Sequence, residues 1–109
     1  MYAGKLRFPI KLQRNHPVKN ELGEPLDDWQ DYADTDADIK PLQGREFYDA
    51  QQINAELTTV VTIRWLPDVR ADDRVVYGDR ILTIVWVRNI DSRDHALDLV
   101  CKENPAPAS

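Results

Sequence analysis

A run of alternating acids offers the first possible chemistry, a calcium site. Asp34, Asp36 and Asp38 stand two residues apart, which is how an EF-hand loop begins. The next position of such a loop should be glycine and is Ile39, and the twelfth should be glutamate and is Arg45. The calcium pattern therefore fails, and the alternation of acids with small residues predicts an acidic outer face of a β-strand.

The other residue types that catalyse reactions or bind metals are scarce. His16 and His95 are the two histidines, and neither has a second histidine at metal-ligand spacing. Cys101 is the single cysteine, and the alternation of its segment directs it inward with Leu97 and Leu99, which favours core packing over catalysis. The four glycines are isolated, so no phosphate-binding loop is visible. We predict no catalytic residue, no metal site and no cofactor.

Composition and charge narrow the class of protein. The 109 residues indicate one domain, with the apolar (42%) and charged (30%) content of an ordinary globular protein and no long apolar run, so we expect no membrane partner. Residues 1–20 contain bases and no acid, whereas residues 21–38 contain acids and no base. This segregation suits contacts with further copies or with charged partners, or it marks two solvated faces. The net charge of −5 disfavours general nucleic-acid binding.

Hydrophobic periodicity predicts a β-rich chain with one helix. Residues 45–57 form the helix, because Phe47, Ala50, Ile53 and Leu57 make one apolar stripe. A turn-rich loop is expected at residues 15–26. Strands are predicted at residues 5–14, 28–42, 58–66, 74–77, 80–88 and 95–102. We expect a single domain over residues 1–103 and a disordered tail over residues 104–109.

Two of these strands allow finer predictions. In residues 58–66, Val61, Ile63 and Trp65 share one face, which predicts that Trp65 belongs to the core. Gly78 and Asp79 separate the next two strands and predict a two-residue hairpin turn with glycine at the first central position. Six short strands with one helix are typical of a small barrel or sandwich.

Taken in order, the segments resemble the head–tail joining proteins (head-closure, stopper or head-tail adaptor proteins) of long-tailed bacteriophages. The similarity covers roughly residues 5–103. One departure is Pro9, where the family often has a basic residue. The matching segments are Leu6-Arg7, Ile10-Lys11-Leu12-Gln13, Gly23-Glu24-Pro25, Trp29, Ala37-Asp38-Ile39-Lys40-Pro41-Leu42-Gln43-Gly44-Arg45-Glu46, Thr62-Ile63-Arg64-Trp65, Arg74-Val75-Val76-Tyr77-Gly78-Asp79-Arg80 and Leu97-Asp98-Leu99-Val100-Cys101-Lys102-Glu103.

This resemblance implies a mainly β fold: a small six-stranded antiparallel β-barrel with one helix inserted between the second and third strands. It implies a virion protein, made in the bacterial host cytoplasm, that forms a ring in the neck between a portal-side adaptor and the tail. The ring would close the channel over packaged double-stranded DNA, after packaging, and offer a docking surface to a tail-side joining or terminator protein. By the same resemblance, the candidate channel or gate residues are Gln43, Gly44, Arg45, Glu46 and Tyr48.

Two alternative interpretations remain open. The first is a small oligonucleotide-binding-like barrel for single-stranded nucleic acid or another ligand, because Trp65 and Trp86 stand near Arg64, Arg80 and Arg88 in the sequence. The second concerns the gate residues, which could equally form the start of an amphipathic helix packed on the barrel.

Overall fold

The computed structural model of the protein describes residues 8–89 and 95–104. Residues 5–7 of the first predicted strand and most of the predicted tail lie outside these ranges. The elements, in chain order, are β1 (Phe8–Asn15), β2 (Val18–Lys19), β3 (Pro25–Leu26), β4 (Trp29–Pro41), α1 (Gly44–Ile53), β5 (Thr59–Arg64), β6 (Arg74–Tyr77), β7 (Arg80–Asn89) and β8 (Ala96–Glu103).

Six of these strands close an antiparallel barrel in the order β1-β4-β5-β8-β7-β6, and β2 and β3 pair separately as a small hairpin. The predicted mainly β class and the six-stranded barrel are confirmed. The barrel is closed because β1 pairs with β4 on one side and with β6 on the other. Every second residue of a strand then points into the barrel. The interior is filled by a cluster of buried side chains: Ile10, Leu12, Ala37, Val61, Ile63, Val75, Leu82, Ile84, Leu97, Leu99 and Cys101.

The outer face of the barrel is covered at one place. Along most of their length β5 and β8 are buried on both faces. On the outside, Val60 and Val100 join Leu42, Ala50 and Leu57 in a second buried cluster. The helix α1 therefore packs against the outer wall of the barrel.

The predicted position of the helix is wrong. The helix follows β4, the fourth strand along the chain, because the segment predicted as a loop at residues 15–26 contains both β2 and β3. Each of these strands has only two residues, which is too short for a period of two to be recognised. In the barrel itself, α1 connects β4 to β5.

The helix also ends earlier than the apolar stripe predicted. It stops at Ile53, and Asn54 takes an extended conformation, with φ −156° and ψ 120°. The side chain of Asn54 accepts a hydrogen bond from the Glu56 N–H at 2.8 Å, a local bond that competes with the helix. Leu57 remains buried in the second cluster although it lies outside the helix.

The prediction that Trp65 belongs to the core is wrong. β5 ends at Arg64, and the side chain of Trp65 is 38% exposed. The Trp65 N–H still donates to the carbonyl of His95 at 3.1 Å, but β8 begins only at the next residue. Past the end of the barrel no interior remains for the indole, and Leu66 packs against the core instead.

The hairpin turn between β6 and β7 is as predicted. Tyr77 pairs with Arg80 across the two-residue turn. Gly78 has φ +56°, the left-handed conformation that the first central position of this turn requires.

The basic first strand and the acidic second barrel strand are neighbours. β1 and β4 pair antiparallel, with Lys11 opposite Asp34. The ammonium of Lys11 lies 3.3 Å from Asp34 and 3.6 Å from Asp31. One base of the first segment is therefore matched with two acids of the second within one barrel wall.

Candidate functional site

The candidate gate residues are brought together at the beginning of α1. We call residues 43–48 the α1 start segment. Gln43 is the N-cap residue, with φ −138° and ψ 154°, and its side chain caps no backbone N–H. Gly44 follows with φ +58°, a conformation that disfavours side chains. A Cβ at Gly44 would meet nothing within 4 Å, so the backbone turn, and not crowding, calls for glycine here.

The α1 start segment faces away from the barrel. Gln43, Gly44, Arg45, Glu46 and Tyr48 are all exposed, and Tyr48 is 71% exposed. Between Glu46 and Tyr48, the half-buried Phe47 turns towards the barrel and packs on the second cluster. The predicted residues thus share one exposed surface, while their neighbour anchors the helix.

The anchoring of α1 rests on few groups. Of the helix side chains that the structure describes, only Ala50 is buried. The side-chain amide of Gln51 donates to the carbonyl of Leu57 at 2.6 Å, and the Leu42 N–H donates to the carbonyl of Thr58 at 2.9 Å. The helix is therefore held at its two connections and by a short apolar contact.

An ion pair links the α1 start segment to the barrel wall. The guanidinium of Arg88 lies 2.7 Å from the carboxylate of Asp98 and 4.0 Å from that of Glu46. Asp98 is 8% exposed and also accepts a hydrogen bond from the Thr62 hydroxyl at 2.7 Å. Because Glu46 is exposed and distant, its contact with Arg88 contributes little energy. Sequence reasoning missed this network, since no pattern marks a pairing across three elements.

A second polar cluster closes the opposite end of the barrel. The guanidinium of Arg14 donates to both carboxylate oxygens of Asp73, at 2.9 Å and 2.7 Å. The Tyr32 hydroxyl donates to Asp73 at 2.7 Å, and the Arg70 N–H does so at 3.1 Å. Asp73 is only 3% exposed. Its carboxylate is saturated by donors, so it braces the loop before β6 against β1 and β4.

The hydrogen bonds and burial of this cluster shift the pKa values of its members. Burial raises the pKa of Asp73, but the hydrogen bonds from Arg14, Tyr32 and Arg70 outweigh burial and leave that pKa below its ordinary value. Burial, followed by the hydrogen bond to Asp73, raises the pKa of the Tyr32 hydroxyl. The hydrogen bond to Asp73 raises the pKa of Arg14. A charged, buried carboxylate that accepts four hydrogen bonds is suited to a structural role.

The remaining groups with possible chemistry are dispersed or buried. Among residues 8–89 and 95–104, no group of three or more histidine, cysteine or acidic side chains could hold a metal ion. Cys101 lies inside the barrel, as predicted, and burial raises the pKa of its thiol to about 12. Trp86 is 41% exposed, and the guanidinium of Arg88 lies 5.8 Å from its ring. In the part of the chain that the structure describes, no helix has the length and hydropathy of a membrane span.

Comparison with known proteins decides the family. The sequence model of the phage head completion protein family matches residues 1–104. The chain belongs to the phage head completion protein family. The resemblance inferred from the sequence is confirmed, and the family is one of structural virion proteins, not of enzymes. Membership gives the chain a role at the head–tail neck of a virion and contacts with other head and tail proteins.

One relative and two solved structures are similar to this chain over nearly its whole length. Head completion protein gp7 of Enterobacteria phage HK97 is 22% identical over 107 residues, which are 94% of this chain and 96% of that protein. The solution structure of protein SF1141 from Shigella flexneri 2a matches with a TM-score of 0.71 and 26% identity, over 95% of this chain and 97% of that one. A chain in the virion of a native gene transfer agent particle has the same fold, with a TM-score of 0.66 and 21% identity over 94% of this chain and 97% of that one.

Proposed function

We propose that this head completion protein assembles as a ring between the portal-side adaptor and the tail. The ring closes the head channel after DNA packaging and provides the surface on which the tail docks. The α1 start segment is the gate, and its exposed side chains face the channel. Family membership supports the neck position, and the closed barrel supplies a rigid frame for a ring subunit.

One observation carries the gate assignment: α1 is an outward-facing attachment to a closed barrel. Its described side chains include a single buried one, and its first residue, Gly44, takes a left-handed conformation. An element held by few buried contacts can change position at low cost, whereas the barrel strands cannot. In this account α1 moves and the barrel stays fixed.

The chemistry of the α1 start segment suits contact with DNA held in a channel. Arg45 is exposed, and its guanidinium can pair with a phosphate. The hydroxyl of Tyr48 can donate to a phosphate oxygen from the same side of the helix. The protein as a whole is acidic, with a net charge of −5, so DNA can pass the ring without binding it tightly elsewhere.

The ring contact needs two different patches, one on each side of the subunit. The bases of β1 and the acids of β4 are partly matched with each other, as Lys11 is with Asp31 and Asp34. We therefore do not assign the ring contact to these two strands. Other exposed charges, such as Asp36, stay available for it.

DNA retention tests the gate. In particles that carry Arg45→Glu, we expect most filled heads to lose their DNA before tail joining, because a carboxylate repels the phosphates that the guanidinium would hold. Nuclease-protected DNA per head measures the loss. Arg64→Glu is the matched control, since it makes the same change at an exposed arginine outside the gate. If Arg45→Glu heads keep their DNA as well as Arg64→Glu heads do, the gate assignment is wrong.

A further inference from the structure

Hydrogen bonds fix the turn at the tip of the hairpin of β2 and β3. The side-chain oxygen of Asn20 accepts hydrogen bonds from the N–H groups of Leu22 and Glu24, both at 2.9 Å. The N–H of Gly23 donates to the carbonyl of Asn20 at 3.0 Å, and Gly23 has φ +80°. These bonds hold the turn in one conformation.

The base of the hairpin is fixed to the barrel. The His16 N–H donates to the carbonyl of Asp28 at 2.8 Å. The side chain of Asn15 accepts from the Asp28 N–H at 2.8 Å and donates to the carboxylate of Asp27 at 3.0 Å. Beside it the guanidinium of Arg74 stacks on the ring of Trp29, 4.1 Å from the centroid. The hairpin is thus a positioned projection of the barrel.

This projection presents apolar side chains to water. Val18 lies opposite Leu26, on the same face, and each is 48% exposed. Leu22 at the tip is 83% exposed. We call Val18, Leu22 and Leu26 the hairpin tooth. Apolar side chains held in a fixed array and left uncovered are typical of a protein–protein contact.

The charges around the hairpin tooth define its partner. Glu21 and Glu24 flank Leu22 and are exposed. Lys19 is the one lysine or arginine within residues 15–28, against four acids. A groove that accepts Leu22 should therefore be apolar at its floor and rimmed by lysine or arginine.

Three grooves formed by the described residues of this chain differ from such a groove, because each of them contains two acids. The groove between α1 and the barrel has Glu46, Asp49 and Arg88 in its lining, and Arg88 is already paired with Asp98. The groove next to it contains two acids and one base, and the groove beside β1 contains two of each. A second copy that used one of these three grooves would place two acids against Glu21 and Glu24, which is unfavourable.

We propose that the hairpin tooth docks into an apolar groove, rimmed by lysine and arginine, on a different protein of the particle and not on a second copy of this chain. The inference rests on the proposed neck position, and it adds the contact surface. The hairpin and α1 lie at opposite ends of β4, whose 13 residues span about 40 Å. One subunit can then hold the gate at one end and a neighbouring ring at the other.

Photo-crosslinking in assembled particles tests this docking. A photoreactive amino acid replaces Leu22 in the full chain, and the same residue replaces Asp79 as a control at the far end of the barrel. We expect position 22 to crosslink to another virion protein, within a peptide that is apolar and carries lysine or arginine. We also expect Leu22→Asp to lower incorporation into particles by about tenfold, the change in affinity that loss of an anchor side chain produces, while Asp79→Lys leaves incorporation unchanged.

The possible outcomes distinguish a failure of the docking inference from a failure of the proposed function. A crosslink from position 22 to a second copy of this chain, or no crosslink from it in particles that contain the chain at the neck, overturns the docking inference and leaves the proposed function intact. A chain found elsewhere in the particle overturns the proposed function, and the docking inference with it. Full incorporation of Leu22→Asp also counts against the hairpin tooth.

Discussion

Replacing Asp73 with alanine should lower the free energy of unfolding by about 3–5 kcal/mol, the cost of breaking a buried, hydrogen-bonded ion pair. Asp73 is 3% exposed and accepts hydrogen bonds from Arg14, Tyr32 and the N–H of Arg70. Without the carboxylate, the guanidinium of Arg14 loses its closest charged partner. For a domain of this size the melting temperature should fall by about 10–20 °C.

Acid should remove this difference. The pKa of Asp73 is lower in the folded chain than its ordinary value, so its contribution is complete above the pKa of the unfolded chain and is lost as pH falls through the lowered folded pKa. The difference in the free energy of unfolding between wild type and Asp73→Ala should therefore become smaller as the pH falls. Asp79→Ala, at an exposed turn position, is the control and should stay within about 0.5 kcal/mol of wild type. A gap that stays constant down to strongly acidic pH would refute the assignment of the effect to charge.

Truncating Leu99 to alanine should cost about 2–5 kcal/mol, because it leaves a cavity inside a packed core. Leu99 is fully buried, with Val61 on one neighbouring strand and Val87 on the other. Leu22→Ala makes the same change at a side chain that is 83% exposed, and it should alter stability by no more than about 0.5 kcal/mol. Urea denaturation measures both as shifts of the midpoint at constant slope. Equal losses of unfolding free energy for Leu99→Ala and Leu22→Ala would show that the Leu99 side chain is not enclosed in a packed core.

The barrel strands could be predicted because apolar residues recur at every second position in most of them. Leu97, Leu99 and Cys101 recur every second residue, and all three lie in the interior as expected. The turn at Gly78 could be predicted too, since its geometry depends on one residue type. Trp65 was misplaced because alternation says which way a side chain points but not where the barrel ends.

The features that could not be predicted depend on contacts between segments that are distant in the sequence. Arg14 and Asp73 are 59 residues apart, and neither local sequence predicts that the two side chains pair. The hairpin of β2 and β3 was missed because its strands are two residues long and owe their conformation to Asn15 and Asn20. The clustering of the gate residues on α1 could be predicted because they are nearly consecutive in the sequence. The ion pair of Arg88 with Glu46 could not, because the two residues are distant in the sequence.

The orientation of the chain in the particle tests the central claim most directly. A cryo-electron microscopy map of DNA-filled particles, at a resolution that shows side chains, would place each barrel relative to the channel. We predict a ring of this chain between the portal side and the tail, with Arg45 and Tyr48 of α1 facing the lumen. A chain outside the neck, or a neck ring whose α1 faces outward while another segment lines the channel, would contradict it.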